Sequence, residues 1–210
     1  QETYSFAQSG VDDPKEKRIA TLGKPFPGNE LKIVNEEGRE VPLGTVGQLC
    51  VRGASTSSGY FGDIEATLAA WATLGMEGWY KTGDMAKLDQ EGYLSIVGRK
   101  KDMIIRGGQN IYPGEIENLL LSHPKVFQAV IIAIPDPVMG ERGCACVVCV
   151  PGETFTWEEM TSFLREKGLA VHKLPERLEI MDRFPQLVDG QKVDKISLKR
   201  MITKKIESED

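Results

Sequence analysis

The sequence predicts an α+β chain of two units. The first, over residues 1–100, is mostly antiparallel β; the second, over residues 101–210, is a small α+β domain. Three observations predict this. Between residues 20 and 100, short alternating strands are separated by turn glycines. After Arg99 the pattern changes to strands and helices in mixed order. At the change sits a charged run, Arg99-Lys100-Lys101-Asp102, which a stable core does not need.

Taken in order, residues 1–18 are polar and weakly patterned, and are expected to form a loop. LKIV, NEEG and REV read as a hairpin with Gly38 at the positive-φ turn position. QLCVRG is a strand ended by glycine, and IEATLAAW a short amphipathic helix. WYKTGD and MAKLDQEGYLSIVGR form a second hairpin turning at Asp89 to Gly92. In the second unit, Pro113 suits the first position of a helix whose apolar face is Ile116, Leu119 and Leu120. KVFQAVIIAIPD reads as a buried strand with RGCACVVCVPG as its antiparallel neighbour. Thr156 and Glu159 make a capping box for WEEMTSFLREKG. RLEIMDRFP is a strand, and Asp194 caps a final helix carrying Leu198, Met201 and Ile202.

Composition sets the outer limits. The chain is 40% hydrophobic and 27% charged, ordinary for a soluble globular protein. A net charge of −5 argues against a broad nucleic-acid surface. No apolar run approaches the roughly 20 residues of a membrane span, and no signal-peptide pattern opens the sequence. Three of the four cysteines fall in CACVVC. A metal or redox cluster would need a matching histidine or a second CxxC, and neither is present. The favoured reading is a buried strand, with Cys144, Cys146 and Val148 on one face and Ala145, Val147 and Cys149 on the other. Reduced thiols fit a cytoplasmic location. Gln1 begins mid-pattern without a methionine, so a portion of a longer chain is expected.

Four places offer chemistry. Asp84, in the YKTGD stretch and expected in a loop before a strand, suits a pair of vicinal hydroxyls such as those of a ribose. It equally suits a turn aspartate that bonds its own backbone. Arg99 ends a strand and could reach a hydroxyl or phosphate, or simply be an exposed charge. Gly107 and Gly108 permit close approach of a thin ligand, or a tight turn. Lys192, on a loop with Pro185 and Gly190, could swing a point charge onto a phosphate or carboxylate, although most surface lysines do nothing of the kind.

Each signal alone is ordinary; their order and spacing are specific. YKTGD, then DQEGYLSIVGRKKDMIIRGGQNIYPGEIE, HPKV, IPD and a glycine loop with a lysine near the C-terminus resemble the adenylate-forming acyl-CoA synthetase family. That family includes aryl-acid ligases, peptide-synthetase adenylation domains and firefly luciferase. GKPFPGNELKIV, GTVGQLCVRG and GYFGD extend the resemblance, which runs from about residue 20 to residue 206. It implies that the first unit is the distorted, barrel-like end of a large N-terminal domain, and that the second is a small mobile domain. It also implies two reactions. A small carboxylic acid attacks the α-phosphate of ATP, giving an acyl-adenylate and pyrophosphate. A thiol, commonly of coenzyme A, then displaces AMP, with the small domain rotating between steps.

By the same resemblance, Asp84 and Arg99 bind the ribose and Lys101 is the hinge. Gly107 and Gly108 line the pantetheine tunnel. Lys192, favoured over Lys195, steadies the carboxylate and α-phosphate during adenylation. Glu2 is the candidate remnant of a Thr-Glu pair that helps hold Mg2+. Two positions depart from the pattern. The lysine loop reads Asp189-Gly190-Gln191-Lys192, where Ser/Asn-Gly-Lys is usual, so either one residue is inserted or Gln191 occupies the lysine position, and Gln109 stands where Glu is commoner. The family's phosphate loop is absent from this sequence, as is most of the acyl pocket, so the chain alone is not expected to adenylate. GGQNIYP and MII look closer to the fatty-acid and aryl-CoA ligases than to peptide-synthetase domains. Two alternatives stay open: a ligase that loads a carrier-protein pantetheine, and a non-catalytic module that kept the fold. Family members often form homodimers.

Overall fold

In the computed structural model, which describes residues 3, 5–71, 78–187 and 192–209, the chain forms two units, Gln1–Lys101 and Asp102–Asp210. Among the described residues no helix is long and apolar enough to cross a membrane.

The first unit is built on β3 (Asn29–Val34), β4 (Gly47–Gly53), β5 (Tyr80–Leu88) and β6 (Leu94–Arg99), an all-antiparallel sheet in sequential order. Ile33, Leu49, Val51, Tyr80, Ala86 and Leu94 form its core with Trp71 of α2 (Ile64–Trp71). Among the described residues the four strands form an open sheet that does not close into a barrel. The backbone at Leu22 and Gly23 lies along β6 instead, exchanging two hydrogen bonds with Leu94. The hairpin turn at Gly38 forms with φ at 77°. Its return arm, however, reaches β3 through only one isolated bridge, Val34 to Glu40.

Residues 1–18, expected as loop, contain more structure than their pattern suggests. β1 (Ala7–Gln8) pairs antiparallel with β2 (Lys24–Pro25), and α1 spans Lys15–Ala20. The helix buries no residue, so no apolar period announces it. It is tied down by Lys17, whose ammonium meets Asp89 and Glu91 of the β5–β6 turn.

The second unit is a layered α+β fold. The long antiparallel ladder of β9 (Val126–Asp136) and β10 (Gly140–Cys149) lies at its middle. β11 (Arg177–Ile180) adds parallel to the other edge of β10. The short hairpin β7 (Ile104–Arg106) and β8 (Gln109–Ile111) joins β10 through the pair Gly140–Arg106. Both faces of the ladder are covered, which is why these strands read as nearly continuous apolar runs. On one face Ile131, Ala145 and Val147 meet Ile116 and Leu120 of α3 (Pro113–Leu121) and Met160 and Leu164 of α4 (Trp157–Glu166). On the other, Val130, Ile132, Cys144 and Cys146 meet Leu198 and Ile202 of α5 (Lys195–Glu209). Each of those buried Leu and Ile side chains contributes about 1.5–3 kcal/mol.

The helix starts follow the caps read from sequence. Pro113 occupies the first turn of α3. Asp194 accepts from the amides of Ile196 and Ser197 at the head of α5. Thr156 accepts from the Glu159 amide, but the Glu159 carboxylate is engaged by Lys125 at 2.8 Å.

The cysteines fall where strand alternation puts them, in the core. All four are free thiols. Burial pushes the Cys50 thiol up to about 11. The neighbouring Cys144 thiol, and then burial, hold Cys146 far above the ordinary thiol range. None has the electropositive, accessible setting of a reactive thiolate. With a colourless thiol reagent such as dithionitrobenzoate at neutral pH, partly buried Cys149 should react first, and Cys50, Cys144 and Cys146 only after denaturation.

Glu179 is a buried carboxylate on β11. Burial raises its pKa, but hydrogen bonds from Lys205 and Arg177 outweigh that and hold it below the usual 4.5. A depressed folded pKa stabilises the fold above the unfolded value, and that stability is lost as pH falls through the folded one. Glu179→Gln should therefore shrink the drop in urea midpoint between pH 6 and pH 3 relative to the parent chain.

Candidate functional site

In the first unit, the sheet brings two of the expected nucleotide-contacting residues side by side. Asp84 and Arg99 are direct cross-strand partners on β5 and β6, and Arg99 Nε lies 2.8 Å from Asp84 Oδ1. Asp84 thus sits within a strand, where a loop was expected. The reason lies in the backbone. Against β4, Cys50 pairs with Lys81 and Gln48 with Met85, so Thr82, Gly83 and Asp84 together face Leu49. Such a bulge re-aims side chains. Gly83 supplies the positive φ, 77°, that the bulge requires. Thr82 Oγ1 donates to the Leu49 carbonyl and accepts from the Asp84 amide, pinning the displaced segment. A second irregularity follows between Met85 and Ala86 against β6, where the register skips Val97.

The chemistry of the pair follows from its geometry. The guanidinium neutralises and orients one carboxylate oxygen at 2.8 Å. A carboxylate carries lone pairs for more than one donor, so it can still accept from hydroxyls. Arg99 is the more exposed partner, its side chain 58% accessible against 24% for Asp84. Thr82 was not singled out from the sequence. Its position two residues before Asp84 was the available signal, since a Ser/Thr hydroxyl often bonds the backbone two residues on.

Lys101 is exposed, in a 3₁₀ turn spanning Lys100–Asp102 at the boundary of the two units. In the second unit, Gly107 and Gly108 are the two central residues of the β7–β8 hairpin, closed by the pair Arg106–Gln109. Both have positive φ, 55° and 78°, as a two-residue hairpin turn of the primed type requires. The turn alone accounts for both glycines. They differ in surroundings. A Cβ on Gly107 would come within 2.9 Å of Met139 Sδ, whereas one on Gly108 would meet nothing within 4 Å.

Lys192 is exposed at the foot of a loop whose residues 188–191 lie outside the described residues. The Asp189-Gly190-Gln191 departure and Glu2, with its expected metal role, also lie outside the described residues. The loop is closed by a bridge between Gln186 and Val193, with the Leu187 amide donating to the Lys192 carbonyl at 2.9 Å. Lys195, the rival lysine, is engaged: its Nζ lies 3.0 Å from Glu117 Oε1 and 3.8 Å from Asp102 Oδ2. Among the described residues no carboxylate pairs with the Lys192 ammonium, and no three acidic, His or Cys groups gather to hold a metal.

Comparison with known proteins identifies the relatives of this chain. A family model described as AMP-binding enzyme matches residues 2–61, and one described as AMP-binding enzyme C-terminal domain matches residues 115–190. The medium-chain fatty-acid–CoA ligase of Escherichia coli K12 is 37% identical over 98% of this chain and 36% of its own. The 2,3-dihydroxybenzoate-AMP ligase of Bacillus subtilis is 39% identical over 198 residues, 93% of this chain and 36% of that protein. Among solved structures, o-succinylbenzoate CoA synthetase of Bacillus subtilis, in complex with its acyl-adenylate intermediate, superposes with a TM-score of 0.78. It shares 33% identity over 87% of this chain and 36% of that one. The chain thus spans about a third of the length of the curated relatives it matches. It belongs to the AMP-binding, adenylate-forming enzyme family.

Proposed function

We propose that this chain contributes the ribose-binding strand pair and the small C-terminal domain of an AMP-forming acid–thiol ligase. The observation that carries the reading is the Asp84–Arg99 pair, raised on a strand bulge and fixed by Thr82. In the first step a substrate carboxylate oxygen attacks the α-phosphorus of ATP. The bond to the bridging oxygen breaks, and pyrophosphate leaves. In the second, a thiol sulfur attacks the acyl carbon, the bond from that carbon to the oxygen bridging it to phosphorus breaks, AMP leaves with that oxygen, and the thiol proton passes to solvent.

Each residue has a role within that scheme. Asp84 accepts from the ribose hydroxyls, and Arg99 orients that carboxylate and adds a donor. Lys192 places a cation where negative charge grows at the α-phosphate, the setting in which a fixed charge helps most. Lys101, in its exposed 3₁₀ turn, is the pivot between steps, since hinges are a few element-terminal residues that absorb backbone rotation. The open space beside Gly108 would admit a narrow pantetheine arm. Coenzyme A and a carrier-protein pantetheine present the same thiol, so both acceptors fit. The relatives' names favour a medium-chain fatty acid or a hydroxybenzoate as the acid. Magnesium would accompany ATP, with Glu2 as the residue that helps hold it. A cytoplasmic setting agrees with the four free thiols.

The native gene product, given ATP, magnesium, coenzyme A and a panel of medium-chain fatty acids and hydroxybenzoates, should release AMP. Lys192→Ala should lower the adenylation kcat on the order of 100-fold. Asp84→Ala should raise the KM for ATP roughly tenfold with a smaller effect on kcat, the mark of lost uniform binding. A native protein that releases no AMP with any acid would favour a non-catalytic module instead.

A further inference from the structure

Lys195 sits where helix electrostatics disfavour it. It is the first residue of α5, and the N-terminus is the positive end of a helix. Two carboxylates offset the conflict, Glu117 from α3 at 3.0 Å and Asp102 at 3.8 Å. All three side chains are mostly covered, Lys195 the least, at 34% exposed. Glu117 is itself fixed, because its Oε1 also accepts the Ile131 amide of β9 at 2.9 Å. One ammonium therefore joins α3, the head of α5 and the first residue of the second unit. The foot of the Lys192 loop lies on the same few residues. Val193 bridges Gln186, and the Asp194 amide donates to the Pro185 carbonyl at 2.8 Å.

We propose that Lys195 is a positioning residue that clamps the foot of the Lys192 loop to α3 and Asp102, making them one rigid piece. This rests on reading Lys192 as the adenylation lysine. Adenylation is the step that depends on where that ammonium sits. A small misplacement of a catalytic charge lowers rate far more than stability. The thioester step, in which Lys192 is assigned no part, should not depend on the clamp.

The test compares Lys195→Met, Lys195→Arg and Glu117→Gln in the native gene product, with Lys192→Ala as control. Three quantities are read: hydrogen exchange at the Leu187 and Asp194 amides, ATP–pyrophosphate exchange, and thioester formation from supplied acyl-adenylate. Lys195→Met should speed amide exchange about tenfold. It should lower adenylation kcat about tenfold to a hundredfold at unchanged KM for ATP, with thioester formation intact. Lys195→Arg should restore both amide protection and adenylation, and Glu117→Gln should fall between. Unchanged amide exchange in Lys195→Met overturns the clamp. So does an equal loss in both half-reactions with a lowered unfolding midpoint, which marks a merely structural pair. If the parent protein shows no pyrophosphate exchange, or Lys192→Ala keeps it, the ligase reading or the Lys192 assignment fails. Amide exchange then still decides whether Lys195 holds the loop.

Discussion

The second unit depends on one constraint: the β9–β10 ladder is buried on both faces at once. A strand pair with two covered faces must present apolar side chains at successive positions, which Val130 to Ile132 and Cys144 to Val148 do. It must also receive helices on both sides. α3 and α4 supply one cover and α5 the other. The small size of the cysteine and alanine side chains on β10 lets those layers approach closely. With that sandwich formed, the ends of its elements are held in place, and those ends carry the residues for which chemistry is proposed. Lys195 heads α5, the Gly107–Gly108 turn hangs from β10 through Arg106, and Lys192 lies at the foot of the loop before α5.

In the first unit the corresponding constraint is a defect. A regular β5 would alternate Thr82, Gly83 and Asp84 between the two faces. The bulge breaks that alternation, and only a glycine with positive φ allows it. The Thr82 hydroxyl then does what ladder hydrogen bonds would otherwise do, satisfying the Leu49 carbonyl and the Asp84 amide. The second irregularity, which skips Val97 on β6, then makes Asp84 the direct partner of Arg99.

Much of this was legible in the sequence, wherever a local rule decided the outcome. Pro113 and Asp194 marked helix starts because capping is local. The cysteine faces followed from the two-residue period of a strand. Asp84 and Arg99 were found through motif spacing, but their contact was not, because register between strands depends on bulges that spacing does not encode. α1 escaped notice since its hold on the fold is a charge pairing with residues more than 70 positions away. How far the barrel-like end closes was not legible for a related reason: closure is a property of edges, and single strands carry no record of it. The Lys195 network joins residues from 102, 117, 131 and 195, which no local pattern gathers.

The parallel pairing of β11 with β10 sets an order of assembly. β9 and β10 are joined by a short connection and can zip together locally. β11 must wait until α4 has carried the chain back along the sheet, and α5 comes later still in the sequence. Contacts with long loops form late, since closure entropy must be met before they contribute. The face of the ladder that α5 covers is therefore the last to leave water. A nascent second unit, still tethered at its C-terminal end, would hold Val130, Ile132, Cys144 and Cys146 open to solvent until residues 195–209 emerge. The thiols that are inert in the finished protein have their period of vulnerability to oxidation during synthesis.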